Sequence, residues 1–175
     1  MRSPAYTKGV VWGVVGGLVG TIVMDLVLFG LAVMVGIPAV ASLATIGDTA
    51  AGFFALLGIP VEGGAPLGAI VHYLLGLVLG AIFGAAVARV PAFRLTSWQK
   101  GVFLGVLYIE IVSQPILATS PIILKMTAAE TWLWFGVSAV MHMIWGAVLG
   151  AVVRYGLRFE ASAQGHQGSH LRPIG

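Results

Sequence analysis

Residues 66–88 read PLGAIVHYLLGLVLGAIFGAAVA, and within that stretch His72 is the one side chain able to carry charge near neutral pH. As a helix rising about 1.5 Å per residue, the segment reaches across the roughly 30 Å hydrocarbon core of a bilayer. No polar face interrupts it, as one would in a helix half-exposed to water. Its solvent is therefore lipid. Segments of the same kind occupy residues 9–35, 101–120 and 131–154. The chain reads as all-α, a polytopic membrane bundle of four helices.

Composition carries the same message. Of 175 residues, 59% are hydrophobic and 9% charged, and the mean hydropathy is +1.02, whereas soluble domains carry about 25% charged residues. There is no cysteine, which excludes disulfides, iron–sulfur clusters and thiolate chemistry. The net charge of +3 is small and its bases are dispersed, so no nucleic-acid partner is expected. The first apolar segment is too long for a cleavable signal peptide and lacks a small-x-small cleavage site, so it should remain in the mature protein.

The bases sit at the ends of the segments. Arg2 and Lys8 precede the first span, Arg89, Arg94 and Lys100 fill the second connection, and Arg154, Arg158 and Arg172 follow the fourth, with Lys125 alone on the other side. Lys and Arg are retained on the cytoplasmic side during insertion. Both termini are thus expected in the cytoplasm and the chain in the cytoplasmic (inner) membrane. The connection 36–65 has Asp48 and Glu62 but no base, as an exported loop should. Its apolar middle, Ser42 to Leu57, with Phe53, Phe54, Leu56 and Leu57, reads either as a short interfacial or re-entrant helix capping the bundle or as packing filler. Residues 159–175 turn to Gly, Gln, Ser and His and are expected to be a disordered tail. His166 and His170 there read as solvated side chains, and no metal site is expected. Trp98, Trp132 and Trp134 fall near span ends as interfacial anchors, while Trp12 and Trp145 lie deeper and should pack.

The chain also repeats itself. His72-Tyr-Leu-Leu-Gly-Leu-Val-Leu-Gly-Ala81 aligns with His142-Met-Ile-Trp-Gly-Ala-Val-Leu-Gly-Ala151, and Lys8-Gly9…Gly13 echoes Lys100-Gly101…Gly105. This implies two duplicated transmembrane hairpins, arranged as parallel repeats. Small residues recur at spacing four: Gly9, Gly13, Gly17 and Thr21, then Gly76, Gly80 and Gly84, then Gly101 and Gly105, then Gly146 and Gly150. In lipid, such ridges let backbones approach closely and gain dispersion contacts. No phosphate-loop motif accompanies the glycines.

Four ionisable side chains lie inside the spans: Asp25, His72, Glu110 and His142, with Ser113 and Gln114 beside Glu110. A charge near the bilayer centre costs about 2.5–3.5 kcal/mol, so each must face protein, water or a partner, or be neutral. Counting about 1.5 Å per residue from the nearest base places Asp25 and His72 each about 25 Å deep. The same count puts Glu110 at about 15 Å and His142 at about 18 Å. Matched depth predicts two carboxylate–imidazole pairs, Asp25 with His72 and Glu110 with His142. Three readings of this cluster stay open: polar bonds that fix packing, a proton or ion relay, and axial ligation of a b-type haem by His72 and His142. No other cofactor is suggested. A hydrolytic arrangement of Ser113, Glu110 and His142 is conceivable, but no motif enforces its geometry, and the chain reads as non-enzymatic. Pro115, inside the third span, should kink that helix and free a carbonyl beside Glu110 and Gln114.

The stretch Val90-Pro-Ala-Phe-Arg-Leu-Thr-Ser-Trp-Gln-Lys-Gly101, then Ser113-Gln-Pro-Ile-Leu-Ala-Thr-Ser-Pro121, then a His-bearing last helix ending in bases, resembles the YagU-like inner-membrane proteins, and Thr21-x-x-Met-Asp25 and His72-Tyr-x-x-Gly76 are similar to motifs of related families that share the plan. The resemblance covers most of residues 9 to 155 and implies a small polytopic protein associated with acid tolerance, without a defined reaction or ligand. The expectation is an accessory or acid-stress-related membrane protein with an intramembrane His/carboxylate cluster. A proton- or ion-conducting transporter and a haem-binding redox subunit are the alternatives. Its partners would be the lipid bilayer and a second copy or a larger membrane complex.

Overall fold

The computed structural model describes the backbone of residues 4–169 and the side chains of residues 5–158. The order of elements is α1 (Pro4–Met34), α2 (Ala41–Leu56), α3 (Gly64–Arg89), a 3₁₀ turn at Pro91–Phe93, α4 (Trp98–Leu117), α5 (Thr119–Leu124) and α6 (Ala128–Ser169). Four stretches are long and apolar enough to cross a membrane: Ala5–Met34, Gly64–Arg89, Trp98–Leu124 and Ala128–Arg158. The protein is a multi-pass helical membrane protein. The backbone of α6 is helical to Ser169, where an unstructured tail was expected from residue 159. The side chain of His166 and the whole of His170 lie outside the described residues.

Local sequence sets the boundaries. Gly36-Ile37-Pro38 and Gly58-Ile59-Pro60 end α1 and α2 in the same way. Gly36 and Gly58 adopt φ of +75° and +76°, a conformation side-chain-bearing residues rarely take. This turns the amides of Ile37 and Ile59 back onto the carbonyls of Ala32 and Phe54, each at 3.0 Å, and the following proline bars further helix. Ser97 caps α4 by accepting from the Lys100 amide at 3.2 Å. Before α6, Glu130 accepts from the Thr127 amide at 2.8 Å while Thr127 Oγ1 accepts from the Glu130 amide at 3.3 Å, a reciprocal capping box. α4 carries Pro115, where a kink was expected, within its helix, ends at Leu117, and after Ala118 the chain re-enters helix as α5.

Helix α1 packs along α3, α4 along α6, and the two hairpins meet through α1 and α6. Within each hairpin, glycine ridges face each other so closely that a Cβ has no room. A Cβ on Gly13 would collide with the Gly80 carbonyl, and one on Gly17 with that of Gly76. In the second hairpin Gly105 faces Gly146, and a Cβ on Gly101 would lie 2.8 Å from the Gly150 carbonyl. The seams differ in register. Gly13 lies opposite Gly80, whereas its sequence counterpart Gly105 lies opposite Gly146, the counterpart of Gly76. The second seam is therefore shifted by one helical turn.

The hydrophobic core fills the half of the bundle nearest the bases, with Phe83, Val87, Ile109, Trp145, Leu149 and Val153 buried there. Tyr108 closes the gap between α4 and α3 by donating to the Leu79 carbonyl at 2.9 Å and packing against Phe83, with ring centroids 5.3 Å apart. At the opposite end α2 lies against the start of α3, where Gly47 meets Gly64 and Gly68. Its Thr49 Oγ1 donates to the Thr45 carbonyl at 2.8 Å and shares a second hydrogen bond with Ser120 Oγ of α5 at 3.0 Å, and both Thr49 and Ser120 are buried. The hairpins thus touch at the base and again at the roof.

Candidate functional site

The α1–α3 seam continues upward into polar residues. Thr21 is 1% exposed; its hydroxyl donates to the Gly17 carbonyl at 2.9 Å and accepts from Trp145 Nε1 at 3.0 Å. It sits against Gly76, whose missing side chain makes room for it. A threonine can bond its own i−4 carbonyl and still offer a lone pair, so one residue closes the seam and ties α1 to α6.

One turn further, the same ridges bring Asp25 opposite His72. Asp25 is buried, and its Oδ1 lies 3.2 Å from His72 Nε2. Neither atom has a well-aligned hydrogen bond, so the contact is an ion-pair approach rather than a directional bond. Tyr73 stands beside the Asp25 carboxylate, its ring edge-on to that of His72 with centroids 6.2 Å apart. The structure therefore brings Asp25 and His72 together, with Tyr73 as a third member that the sequence pattern did not single out.

The second expected pair does not form. Glu110 accepts from Gln114 Nε2 at 3.4 Å, and among the described residues no ion pair joins it to His142. The reason is azimuth. The ridge of α4 facing α6 runs Gly101, Gly105, Ile109, Ser113, and Glu110 lies about 100° around the helix from it. Ser113 instead occupies the position facing His142 that Asp25 occupies facing His72. It is 3% exposed, and neither its Oγ nor His142 Nδ1 has a hydrogen-bond partner. Gln114 is exposed.

Between base and roof lies a chamber of about 1060 Å³ lined by all six helices. Thr21, Gly76, Leu79 and Trp145 belong to its floor, and Thr49 and Ser120 to its roof. His72, Ser113 and His142 all line it, so the two imidazoles share one cavity. The remaining walls are mostly apolar, no Lys or Arg contributes, and Glu130 stands at the rim. Leu31 of α1, Val35 just beyond its end, and Leu133 and Val137 of α6 line the chamber and are exposed. Its mouth therefore opens sideways between those helices, at membrane depth.

His72 directs its buried Nε2 to Asp25, so haem ligation through that nitrogen would first break the ion pair. Among the described residues no group of three or more His, Cys, Asp or Glu could hold a metal ion. Sequence reasoning missed the roof contact and the role of Trp145. Trp145 carried a usable signal, a deep indole on the glycine ridge of α6, while Thr49 and Ser120 carried none.

No curated protein and no solved structure matches the chain. One family does, over residues 7–162, and its description is "Family of unknown function (DUF6789)". The match takes in the whole chamber and all but the first two residues of the four transmembrane segments: the chain belongs to the DUF6789 family.

Proposed function

We propose that this is a non-enzymatic protein of the cytoplasmic membrane, both termini inside, that takes a small apolar molecule from the lipid phase into its chamber. The chamber carries the reading. Protein interiors are close-packed, with few voids larger than a water molecule, and elsewhere this bundle packs down to backbone contact. A volume of about 1060 Å³ stands at the upper edge of the roughly 300–1,000 Å³ of small-molecule pockets. Such sites are mostly apolar with a few placed polar groups, which describes walls that carry His72, Ser113 and His142.

The test is to purify the full chain in mild detergent and compare co-purifying lipophiles by native mass spectrometry with those of Leu75→Trp, which fills the chamber from α3. A bound species present in the wild type and absent from the variant is expected. Identical bulk lipids in both would refute the reading.

The buried Asp25–His72 pair favours a second reading, proton or ion conduction. Conduction needs polar groups or water along the whole path, yet below the pair the core is Phe83, Leu149 and Val153. The pair suits a fixed polar wall better than a relay. An acid-stress role, attached to the YagU-like resemblance, draws its support from this same His–carboxylate pair. Unchanged proton flux in proteoliposomes of Asp25→Asn would remove the relay.

A further inference from the structure

We propose that the occupant of the chamber is an uncharged lipophile whose head carries a carbonyl or hydroxyl oxygen, the chemistry of prenyl quinones and prenols, and that Ser113 and His142 hold this oxygen. The inference rests on the chamber reading and adds the chemistry of its ligand.

Ser113 is the first observation. Buried hydroxyls in membrane helices ordinarily bond the carbonyl four residues back, and here Thr21, Thr45 and Thr49 all do so. Ser113 does not: its Oγ has no partner although the residue is only 3% exposed, and it lines the chamber. A buried polar atom left unbonded is costly and rare in native proteins. The second observation is His142 on the facing helix, which lines the same wall and whose Nδ1 is also unpartnered. A hydroxyl and an imidazole together can donate to a carbonyl, or donate to and accept from an alcohol.

Charge decides the rest. No Lys or Arg lines the chamber, so a phosphate or carboxylate head would enter a low-dielectric site without a counterion, which is strongly unfavourable. A cationic head would need a carboxylate beside Ser113 and His142, but Asp25 is set against His72 and Glu130, at the rim, already accepts from the Thr127 amide and hydroxyl. A neutral head meets neither penalty. The apolar walls and the mouth at Leu31, Val35, Leu133 and Val137 then receive a hydrocarbon tail from the bilayer.

The experiment measures binding of farnesol, farnesyl phosphate and decylubiquinone to the purified full chain by native mass spectrometry. The proteins are wild type, Ser113→Ala, His142→Gln, Leu75→Trp and, as control on the exposed face of α4, Gln114→Ala. Each must first show a wild-type helical spectrum and a monodisperse elution profile. We expect farnesol or decylubiquinone to bind, and the one preferred names the head as alcohol or quinone. Farnesyl phosphate should bind at least tenfold more weakly than farnesol. Ser113→Ala and His142→Gln should each weaken the preferred probe about five- to tenfold, the loss of one hydrogen bond, with Gln114→Ala unchanged. Equal affinity for farnesol and its phosphate overturns the inference. So does unchanged binding in both Ser113→Ala and His142→Gln while Leu75→Trp abolishes it, an outcome that leaves the chamber reading intact. Binding that Leu75→Trp does not affect overturns both.

Discussion

Replacing Gly17 by alanine adds one methyl group where the α1–α3 seam is in backbone contact. That carbon would collide with the Gly76 carbonyl oxygen and lie 3.0 Å from the Gly76 carbonyl carbon and 3.2 Å from Gly80 Cα. Carbon atoms attract best at about 3.5–4.0 Å, and backbone has no rotamer with which to yield, so α3 must retreat by roughly 0.5–1 Å. Overpacking of this kind costs about 1–3 kcal/mol. Alanine also gains about 1 kcal/mol over glycine in helix propensity, which would mask part of the loss. Gly30→Ala supplies the correction: Gly30 lies on the same helix, and a Cβ added there would meet nothing within 4 Å, so it gains propensity without crowding. The stability difference between the two variants should be about 1–3 kcal/mol, read from SDS-induced unfolding in mixed micelles by tryptophan fluorescence and circular dichroism. If Gly17→Ala unfolds with Gly30→Ala to within about 0.5 kcal/mol, the backbone-contact seam is not what holds the first hairpin together.

Three further expectations follow from the site. Asp25→Asn and His72→Gln, alone and combined, should show a coupling of roughly 1–3 kcal/mol in the same unfolding assay, and additive effects would mean that the 3.2 Å approach carries no energy. Glu110→Gln should not destabilise by more than about 0.5 kcal/mol, since its bonded partner is the exposed Gln114 and its Oε1 is buried without a partner; a cost above about 2 kcal/mol would restore the pairing with His142. The chain has no cysteine, so Ser138→Cys places a single thiol on the chamber wall. Adding Thr49→Val, which removes the bond to Ser120, should raise its rate of maleimide labelling several-fold, and an unchanged rate would show that α2 and α5 do not close the roof.

Much of this molecule could be read from residue order because lipid imposes simple demands. Four apolar stretches of bilayer length had to be helices, and their glycines at spacing four had to meet. Asp25 and His72 were legible for the same reason: both continue a glycine ridge, so equal depth also meant equal azimuth. Glu110 and His142 share a depth but not a face, because Glu110 follows Ile109 by one residue and points away from the seam. Depth counted from the bases holds one coordinate of a helical residue, and the ridge holds the other. The ends of α1 and α2 were also written in the chain, as two Gly-Ile-Pro triplets, though their meaning appears only in the +75° and +76° backbone. The chamber had no comparable signature. It exists because two hairpins that touch at Thr21–Trp145 and at Thr49–Ser120 diverge between those contacts, and divergence between distant segments leaves no periodicity in either.

The shift of one helical turn between the seams gives the duplication its chemical consequence. If both hairpins packed in the same register, residues repeated between them would find repeated surroundings. Instead Ile109 stands against Gly146 where Thr21 stands against Gly76, and by the same ladder Ser113 faces His142 where Asp25 faces His72. Two histidines from one repeated motif are thus given different partners, one a carboxylate and the other a hydroxyl. The first wall sets Asp25 Oδ1 against His72 Nε2 at 3.2 Å. The second keeps Ser113 Oγ and His142 Nδ1 unbonded. A cavity with a carboxylate set against an imidazole on one side and a hydroxyl without any partner facing an imidazole on the other has a direction, and a single-headed molecule entering from the bilayer would bind it in one orientation.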